Sequence, residues 1–460
     1  MSILIFIFSA CQKAIKEPAA LEEIQPAVAS QDQGHLKQTK TFDASGAMKW
    51  HDLQLRLLWY DSRVYAGNSY LEAPTAFATY GLHGNRFFAY LGIGLYESVV
   101  PGMPSYQSLS GQLSQMPAMP PTERGKAYHW AASANAALYY LTKNFYTRGF
   151  AINLAAIDSL YNALKSEYEQ QTDAAVFERS DAFGNEVAKR IFDWSKTDGA
   201  SAACSYTLPP DPTNTKWSNT APNPTAISFP CWGNNRLFVS GSTNNTASPL
   251  PPPYSTEPGS PYRQMVEEVY NLKPLPGSEE EATALYFNDI PGYGAGTHYQ
   301  SVFSQVMHSE NPQLDFYAEA EAKVGIALAE AQINCWKIKY TELVDRPTRY
   351  IRNVLGYTTW TSTIGIHPHP EFPSGHSQTG GAFAGAMTSI FGDNYPVTVH
   401  TYDHLGKPSR PYVSFSAMAD NIGISRVYGG IHYKYTCVES KKQGWKIADN
   451  IVSILKFKKD

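Results

Sequence analysis

Apolar residues recur at intervals of three and four over most of this chain, which is the spacing of a helix face. In the first half, the pattern predicts helices over 51–65, 74–100, 124–146, 150–169 and 174–195. It then predicts helices over 262–272, 279–288, 298–309, 315–345, 375–391, 416–424 and 438–456. Strand-like alternation is rare. The pattern therefore predicts an all-α protein with two helical halves, one over 46–200 and one over 262–460.

The segment between the two halves has a different pattern. Repeated prolines, including the run at 249–253, forbid long regular structure between 201 and 261. The same segment carries large aromatic residues, so we expect it to pack onto the helices as a lid rather than to hang free. The aromatic residues are Trp217, Phe229, Trp232 and Phe238.

The N-terminus begins with a short apolar run followed by small residues and a cysteine. Residues 1–10 predict a signal-peptide-like segment, and Ser9-Ala10-Cys11 resembles a bacterial lipobox in which Cys11 would carry the lipid. The aperiodic stretch 11–45 predicts a flexible tether. This interpretation predicts a bacterial cell-envelope protein, lipid-anchored at the outer membrane or in the periplasm, or secreted. The alternative is that the apolar residues at the N-terminus are accidental and form no lipoprotein signal.

Composition narrows the class of protein. The 460 residues are 43% hydrophobic and 17% charged, which argues against a disordered chain. With 37 basic against 41 acidic residues, no global positive field favours nucleic acid, so we expect no nucleic-acid partner. Oligomeric state stays open.

In an oxidising compartment Cys204 and Cys231 could form a disulfide that constrains the lid. The pairing of Cys335 and Cys437 stays open.

Two cations mark the end of the long helix predicted over 315–345. Lys339 continues a row of small residues (Ala327, Ala331, Cys335), so it lies on a predicted buried face, where a lysine is costly unless an anion meets it. Arg346 follows two turns later on nearly the same face. The alternative is a lysine that reaches out to solvent and an arginine paired with a carboxylate.

The segment Pro373-Ser374-Gly375-His376 opens a helix of very small residues. Ser374 is a candidate N-cap, Gly375 lets an anion approach the backbone, and His376 could move protons beside it. A third segment places Arg426 and His432 on either side of a Gly-Gly turn. For the Pro-Ser-Gly-His segment the alternative is an ordinary helix start in which His376 is a capping or core histidine. For the third segment the alternative is a surface arginine beside a histidine whose hydrogen bonds are satisfied within the protein.

Taken together, the three segments resemble the signature of the superfamily of vanadium-dependent haloperoxidases and type 2 phosphatidic-acid phosphatases. The order and spacing agree: Lys, six residues, Arg-Pro; Pro-Ser-Gly-His; and Ser-Arg, five residues, His. The resemblance extends over about residues 50–455 and implies two helical bundles with the anion site in the second. It implies vanadate as cofactor, with phosphate able to occupy the same site. The residues that it assigns to the oxyanion are Lys339, Arg346, Ser374, Gly375, Arg426 and His432.

The resemblance also implies chemistry for individual residues. His432 would be the vanadate ligand or the phosphatase nucleophile, and His376 the acid–base residue. Trp336 and His369 match positions that line the halide pocket, although each could be an ordinary core aromatic or loop histidine. The family usually has an aspartate four residues after the last histidine, whereas this chain has Thr436. Glu439 is the candidate to replace it.

The resemblance implies a haloperoxidase that oxidises halide with hydrogen peroxide. Two alternatives stay open: a soluble acid phosphatase acting on a phosphomonoester through His432, and an inactive oxyanion-binding envelope lipoprotein. A separate alternative is a zinc site, since His-x-His can bind zinc. Its candidate ligands are His367, His369, His376, His400, Asp403 and His404.

Overall fold

The computed structural model describes residues 37–60, 82–146, 151–219, 227–288, 292–293 and 297–459. The predicted signal-like segment, Cys11 and most of the tether lie outside these residues, as do residues 61–65 and 74–81 of the first two predicted helices. Lipidation and envelope localisation therefore stay predictions. No helix in the described part of the chain is long and apolar enough to cross a membrane.

The first half is helical, as the apolar pattern predicts. Its helices are α1 (Ser45–Leu57), α2 (Leu82–Val99), α3 (Trp130–Phe145), α4 (Ala151–Glu169) and α5 (Ala174–Ser195). Helix α3 begins six residues later than predicted. Gly125, with φ of 77°, has a backbone conformation outside the right-handed helix, and the residues from 126 to 129 that follow this turn are irregular.

The second half is helical as well. Its helices are α6 (Pro261–Asn271), α7 (Glu279–Tyr286), α8 (Thr297–Glu310), α9 (Leu314–Glu342), α10 (Pro347–Asn353), α11 (Gly375–Phe391), α12 (Phe415–Tyr428) and α13 (Lys434–Ile454). The pattern did not predict α10. Pro347 does end the preceding segment, but it is also the first residue of α10, a position that tolerates the missing N–H of proline. The all-α fold is confirmed.

Two small antiparallel ribbons accompany the helices. β1 (Trp59–Tyr60) pairs with β2 (Gly292–Tyr293), with Trp59 opposite Tyr293. β3 (Val397–Val399) pairs with β4 (Arg410–Tyr412), with Val397 opposite Tyr412. The first ribbon joins the two halves of the sequence.

Helix α9 connects the halves through the core. It packs against α2 on one side and α11 on the other, and one hydrophobic cluster includes residues from both halves, such as Phe87, Ile191, Ala327 and Phe383. Because Lys339 lies on the same helix, α9 fixes this cation relative to the whole core.

Helices α11 and α13 pack so closely that side chains do not fit between them. A Cβ at Gly381 would lie 2.0 Å from the carbonyl oxygen of Lys441, and one at Gly444 would lie 1.8 Å from that of Gln378. Glycine at both positions is therefore required by the close approach of the backbones. The contact brings the start of α11 beside the residues that follow the Gly429–Gly430 turn.

The proline-rich segment packs onto the helices, as its aromatic residues predict. Its regular structure in the described part is one 3₁₀ turn, Trp232–Asn234. Trp217, Trp232 and Phe238 are buried. Cys204 and Cys231 form a disulfide with a Cα–Cα distance of 5.7 Å, whereas Cys335 and Cys437 are buried free thiols.

Candidate oxyanion-binding site

Lys339 is completely buried, so it does not reach out to solvent. Its ammonium donates hydrogen bonds to the carbonyl oxygens of Pro370 (2.7 Å), Glu371 (3.0 Å) and Pro373. Burial is the main reason that its pKa is lowered to about 7, and the charge of Arg346 acts in the same direction. An ammonium that makes all its hydrogen bonds to neutral oxygens in the interior is stabilised when an anion comes close.

Arg346 lies beside it, with 1% of its surface exposed. Its guanidinium donates to the carbonyl oxygens of Ile431 (2.6 Å) and His369 (3.0 Å from Nη2), and Nη1 lies 3.2 Å from Nε2 of His432. Burial lowers the pKa of Arg346 to about 10. The alternative of an arginine paired with a carboxylate is wrong for the described residues, because none of these bonds goes to one.

Arg426 is the third buried cation. It lies in the last turn of α12, fully buried, and donates to the carbonyl oxygen of Phe287 (2.6 Å). Its charge contributes to the lowered pKa of both Arg346 and His432, so the three segments do converge. A surface position for Arg426, the alternative from the sequence, is wrong.

The start of α11 faces this cluster. Ser374 is its N-cap, and its hydroxyl oxygen accepts from the backbone N–H (3.3 Å) and the hydroxyl (3.0 Å) of Ser377. The Ser374 backbone N–H donates to Ser440 Oγ (2.9 Å) on α13. A Cβ at Gly375 would come within 3.3 Å of the Trp336 ring, so glycine lets the helix start lie against the indole. A helix N-terminus adds a partial positive charge to the site.

His432 presents one nitrogen to the cations. It is 2% exposed, and its Nε2 accepts the hydrogen bond from Arg346 Nη1, because an arginine can only donate. Burial lowers the pKa of His432 well below its usual value, and the charges of Arg346, Lys339 and Arg426 act in the same direction. The imidazole is therefore neutral and carries a lone pair on Nε2.

A carboxylate does contact the other nitrogen of His432, but it is not the one considered from the sequence. His432 Nδ1 lies 2.8 Å from Oε1 of Glu371, which is fully buried. Thr436 Oγ1 donates to Glu371 Oε2 at 2.9 Å. Glu439 instead pairs with Lys442, so the suggestion that it replaces the missing aspartate is wrong. Burial raises the pKa of Glu371 to about 7, although the positive charges of Arg346 and Lys339 act in the opposite direction.

The remaining predicted site residues lie at the edge of the cluster. His376 is half-buried in the first turn of α11, and its backbone carbonyl accepts from Tyr299 Oη (2.7 Å). His369 lies with its ring centroid 5.3 Å from that of the buried Trp336, and its Nδ1 is 3.1 Å from Arg346 Nη2. The structure thus brings Trp336 and His369 together beside Arg346.

The candidate zinc ligands divide into two separate groups. His367 and His369 stack with parallel rings near Arg346, whereas His400 contacts Asp403 (2.6 Å) on an exposed turn. Within the described ranges, no group of three His, Cys, Asp or Glu side chains is arranged to hold a metal ion.

Sequence reasoning missed Glu371, although it lies two residues before Pro373-Ser374. A carboxylate so close to a buried helix start was the available signal. The loop 369–373 supplies both this carboxylate and the carbonyl oxygens that hold Lys339 and Arg346. The backbone of this loop therefore accepts hydrogen bonds from Lys339 and Arg346, while its one acidic side chain contacts His432.

The arrangement can hold a small multiply charged oxyanion. Two guanidinium groups, an ammonium and a helix N-terminus supply donors for its oxygens, and the Nε2 lone pair of His432 can bond its central atom. This donor set fits vanadate, and it fits phosphate equally well. The fold and the site together define a helical oxyanion-binding protein.

Comparison with known proteins specifies that class. Residues 320–458 match the family model described as the VCPO second helical-bundle domain. The chain is similar to the crystal structure of a bacterial vanadium-dependent iodoperoxidase (27% identity, 91% of this chain and 98% of the other, TM-score 0.77). It shares the fold of a bacterial vanadium-dependent chloroperoxidase (17% identity, 86% and 98%, TM-score 0.60). No protein with a curated description matches the sequence.

Residues 320–458 therefore form a domain of this haloperoxidase family. The domain match and the similarity to the iodoperoxidase confirm the superfamily recognised from the three motifs, that of vanadium-dependent haloperoxidases and type 2 phosphatidic-acid phosphatases. The chain is an enzyme and is haloperoxidase-like over most of its length. The matched family domain contains all of the cations and histidines described above.

Proposed function

We propose that the protein is a vanadate-dependent haloperoxidase that oxidises iodide or bromide with hydrogen peroxide. The observation that carries the proposal is the pair of buried cations, Lys339 and Arg346, which bond to neutral oxygens and face the Nε2 lone pair of His432. The similarity to an iodoperoxidase over 91% of the chain supports peroxidase chemistry over other uses of an oxyanion.

Each residue has a separate role in this proposal. Lys339, Arg346 and Arg426 bind the vanadate oxygens, Ser374 and Gly375 contribute a hydroxyl and a helix N-terminus, and His432 Nε2 is the ligand. Vanadate, when bound, supplies a Lewis acid that activates peroxide. To bind the anion, Lys339 must exchange at least one of its carbonyl partners for an anion oxygen, since three acceptors already occupy its three protons.

His376 and the neighbouring aromatic residues complete the site. His376 is half-buried, so its imidazole can pass a proton between solvent and the peroxide. Trp336 and His369 form one wall beside Arg346, and we propose that this wall contacts the halide. Trp336 Nε1 also donates to the carbonyl oxygen of Ser228 (3.4 Å), so the segment stapled by Cys204–Cys231 supports the wall.

The test is reconstitution with orthovanadate followed by assays of iodide and bromide oxidation by hydrogen peroxide. We expect halide oxidation that depends on vanadate, and Arg346→Ala should weaken vanadate binding by about 10- to 100-fold, the range for a lost hydrogen bond to a charged group. Arg86→Ala is the matched control, because Arg86 pairs with Asp198 in the first half of the chain. It should leave vanadate binding unchanged.

The phosphatase alternative predicts a different result with the same protein. If the vanadate-loaded protein oxidises no halide, while the vanadate-free protein hydrolyses p-nitrophenyl phosphate and His432→Ala abolishes that hydrolysis, then His432 is a phosphoryl-accepting nucleophile. If vanadate binds but neither activity appears, the oxyanion-binding alternative replaces the enzymatic one.

We propose further that the enzyme acts at the bacterial cell envelope, lipid-anchored through Cys11 or secreted. The Ser9-Ala10-Cys11 sequence supports this location, and the disulfide Cys204–Cys231 is typical of an oxidising compartment. Metabolic labelling with a fatty acid tests it, because Cys11→Ser should remove the label.

A further inference from the structure

Glu371 contacts three hydrogen-bond donors: a ring nitrogen of His432 and two groups close to it in the sequence. Its Oε1 lies 2.8 Å from His432 Nδ1 and accepts from the Tyr433 backbone N–H at 3.1 Å. Its Oε2 accepts from Thr436 Oγ1 at 2.9 Å. Glu371, Thr436 and His432 are all buried, so water does not compete for these bonds. A carboxylate that receives three hydrogen bonds in the interior is held in one orientation.

The two ring nitrogens of His432 face groups of opposite kind. A carboxylate can only accept, so Nδ1 carries the proton on the Glu371 side. An arginine can only donate, so Nε2 is unprotonated on the Arg346 side, at 3.2 Å from Nη1. The contacts on the two sides therefore specify the same tautomer, in which the lone pair points toward the cations.

We propose that Glu371, held in place by Thr436, is the positioning residue of His432. It fixes the tautomer and the ring orientation and increases the electron-donating strength of Nε2 toward the central atom of the bound oxyanion. The role of Nε2 as a ligand rests on the proposed function, whereas the tautomer does not. The carboxylate comes from the loop before α11, whereas the hydroxyl that holds it comes from the first turn of α13.

The chain contains a matched control for this pair. Glu321 contacts His51 in the same way, with Oε1 3.0 Å from Nδ1, and both groups are buried in the interior between α1, α8 and α9. Glu321→Gln therefore removes a carboxylate from a buried His–Glu pair without touching the oxyanion site.

The first experiment measures the affinity of the full chain for inorganic vanadate by titration calorimetry. We expect Glu371→Gln to weaken binding by about 10- to 100-fold, the range for partners that orient a ligand. Thr436→Val should weaken it by less than about tenfold, because it removes one of the bonds that hold the carboxylate. Glu321→Gln should bind as the wild type does. Equal affinities for wild type, Glu371→Gln and Thr436→Val would overturn the proposal.

A relocated carboxylate separates positioning from a merely structural role. Glutamine can keep the hydrogen bonds from Tyr433 N–H and to Thr436, so Glu371→Gln retains the loop but loses the charge. In Glu371→Gln/Thr436→Asp the charge returns from α13, at a position whose side chain already reaches Glu371. We expect at least a threefold recovery of vanadate affinity over Glu371→Gln. A double variant that binds more weakly than the single variant would contradict positioning by charge.

The second experiment distinguishes failure of this proposal from failure of the proposed function. In vanadate-free protein labelled with ¹⁵N-histidine, the shifts of His432, assigned by comparison with His432→Gln, report which nitrogen carries the proton. We expect a protonated Nδ1 and an unprotonated Nε2. The opposite tautomer overturns the proposal even if vanadate binds, whereas the expected tautomer without vanadate binding contradicts only the proposed function.

Discussion

His51 and His432 are both buried, and each places Nδ1 against a buried glutamate, at 3.0 Å and 2.8 Å. Their second nitrogens differ. Nε2 of His51 lies 3.2 Å from the carbonyl oxygen of Gln300, whereas Nε2 of His432 lies 3.2 Å from Nη1 of Arg346. The first partner is an acceptor and the second is a donor, so of these two Nε2 atoms only that of His432 has a lone pair directed at a cation. A His–Glu pair alone does not define a reactive site; the group on the far side of the ring does.

The difference follows from the surroundings of each pair. His51 packs between the aromatic rings of Phe88 and Phe303, at centroid distances of 4.8 and 5.3 Å. His432 instead lies among buried cations whose charges lower its pKa. The same kind of pair therefore connects α1 to α9 in one place and completes an anion site in the other.

Removing each histidine is the strongest test of this comparison. His432→Ala should lower vanadate affinity by more than about 100-fold, beyond the loss expected for a partner that only orients a ligand. His51→Ala should leave vanadate affinity within about twofold but lower the unfolding temperature, because it leaves Glu321 buried without its partner. Vanadate titration and thermal unfolding of both variants check this. A large loss of vanadate affinity in His51→Ala would mean that the two pairs are coupled through α9.

Enlarging the glycines that position each pair should give the next largest effect. A Cβ at Gly92 would lie 2.8 Å from the backbone of Glu321, and one at Gly381 would lie 2.0 Å from the backbone of Lys441 on α13. Both Gly92→Ala and Gly381→Ala should lower the free energy of unfolding by about 1–3 kcal/mol or more. Only Gly381→Ala should also weaken vanadate binding, because α13 carries Thr436 and Ser440.

Unfolding in denaturant, followed by vanadate titration of the folded variants, measures both quantities. Gly111→Ala controls for the loss of a glycine without close neighbours; since φ there is 83°, it should show backbone strain but no change in vanadate affinity. If Gly92→Ala weakened vanadate binding as much as Gly381→Ala did, the site would depend on the whole core rather than on the α11–α13 contact.

The sequence was sufficient to predict those parts of the site whose spacing along the chain is short. Lys339 and Arg346 are seven residues apart, and Ser374 and Gly375 are adjacent, so helix geometry relates them directly. The partner of His432 could not be found in this way, because Glu371 is 61 positions away and the contact depends on how α11 packs against α13. For the same reason the pattern predicted most helices of both halves but not which faces of α9 meet α2 and α11.

Glu330 provides the smallest and most specific test, because it is a second buried glutamate on α9, and its hydrogen bonds involve no histidine. Its Oε1 accepts from the Val239 backbone N–H (2.8 Å) and its Oε2 from Ser242 Oγ (2.9 Å). Burial raises its pKa to about 8, above the usual value of 4.5. The native state therefore binds this proton more tightly than the unfolded state does, so the stabilisation is complete below pH 4.5 and is lost as the pH rises through about 8.

Glu330→Gln cannot titrate, so its unfolding temperature should rise relative to that of the wild type as the pH increases from 5 to 9. Thermal unfolding of both proteins at pH 5, 7 and 9 measures the difference. Vanadate affinity should stay unchanged, in contrast to Glu371→Gln, since Glu330 holds the Val239–Ser242 segment and not His432. A difference in unfolding temperature that stayed constant across this range would mean that Glu330 is as ionisable in the core as in the unfolded chain, and that burial without a histidine or cation does not set the pKa of these glutamates.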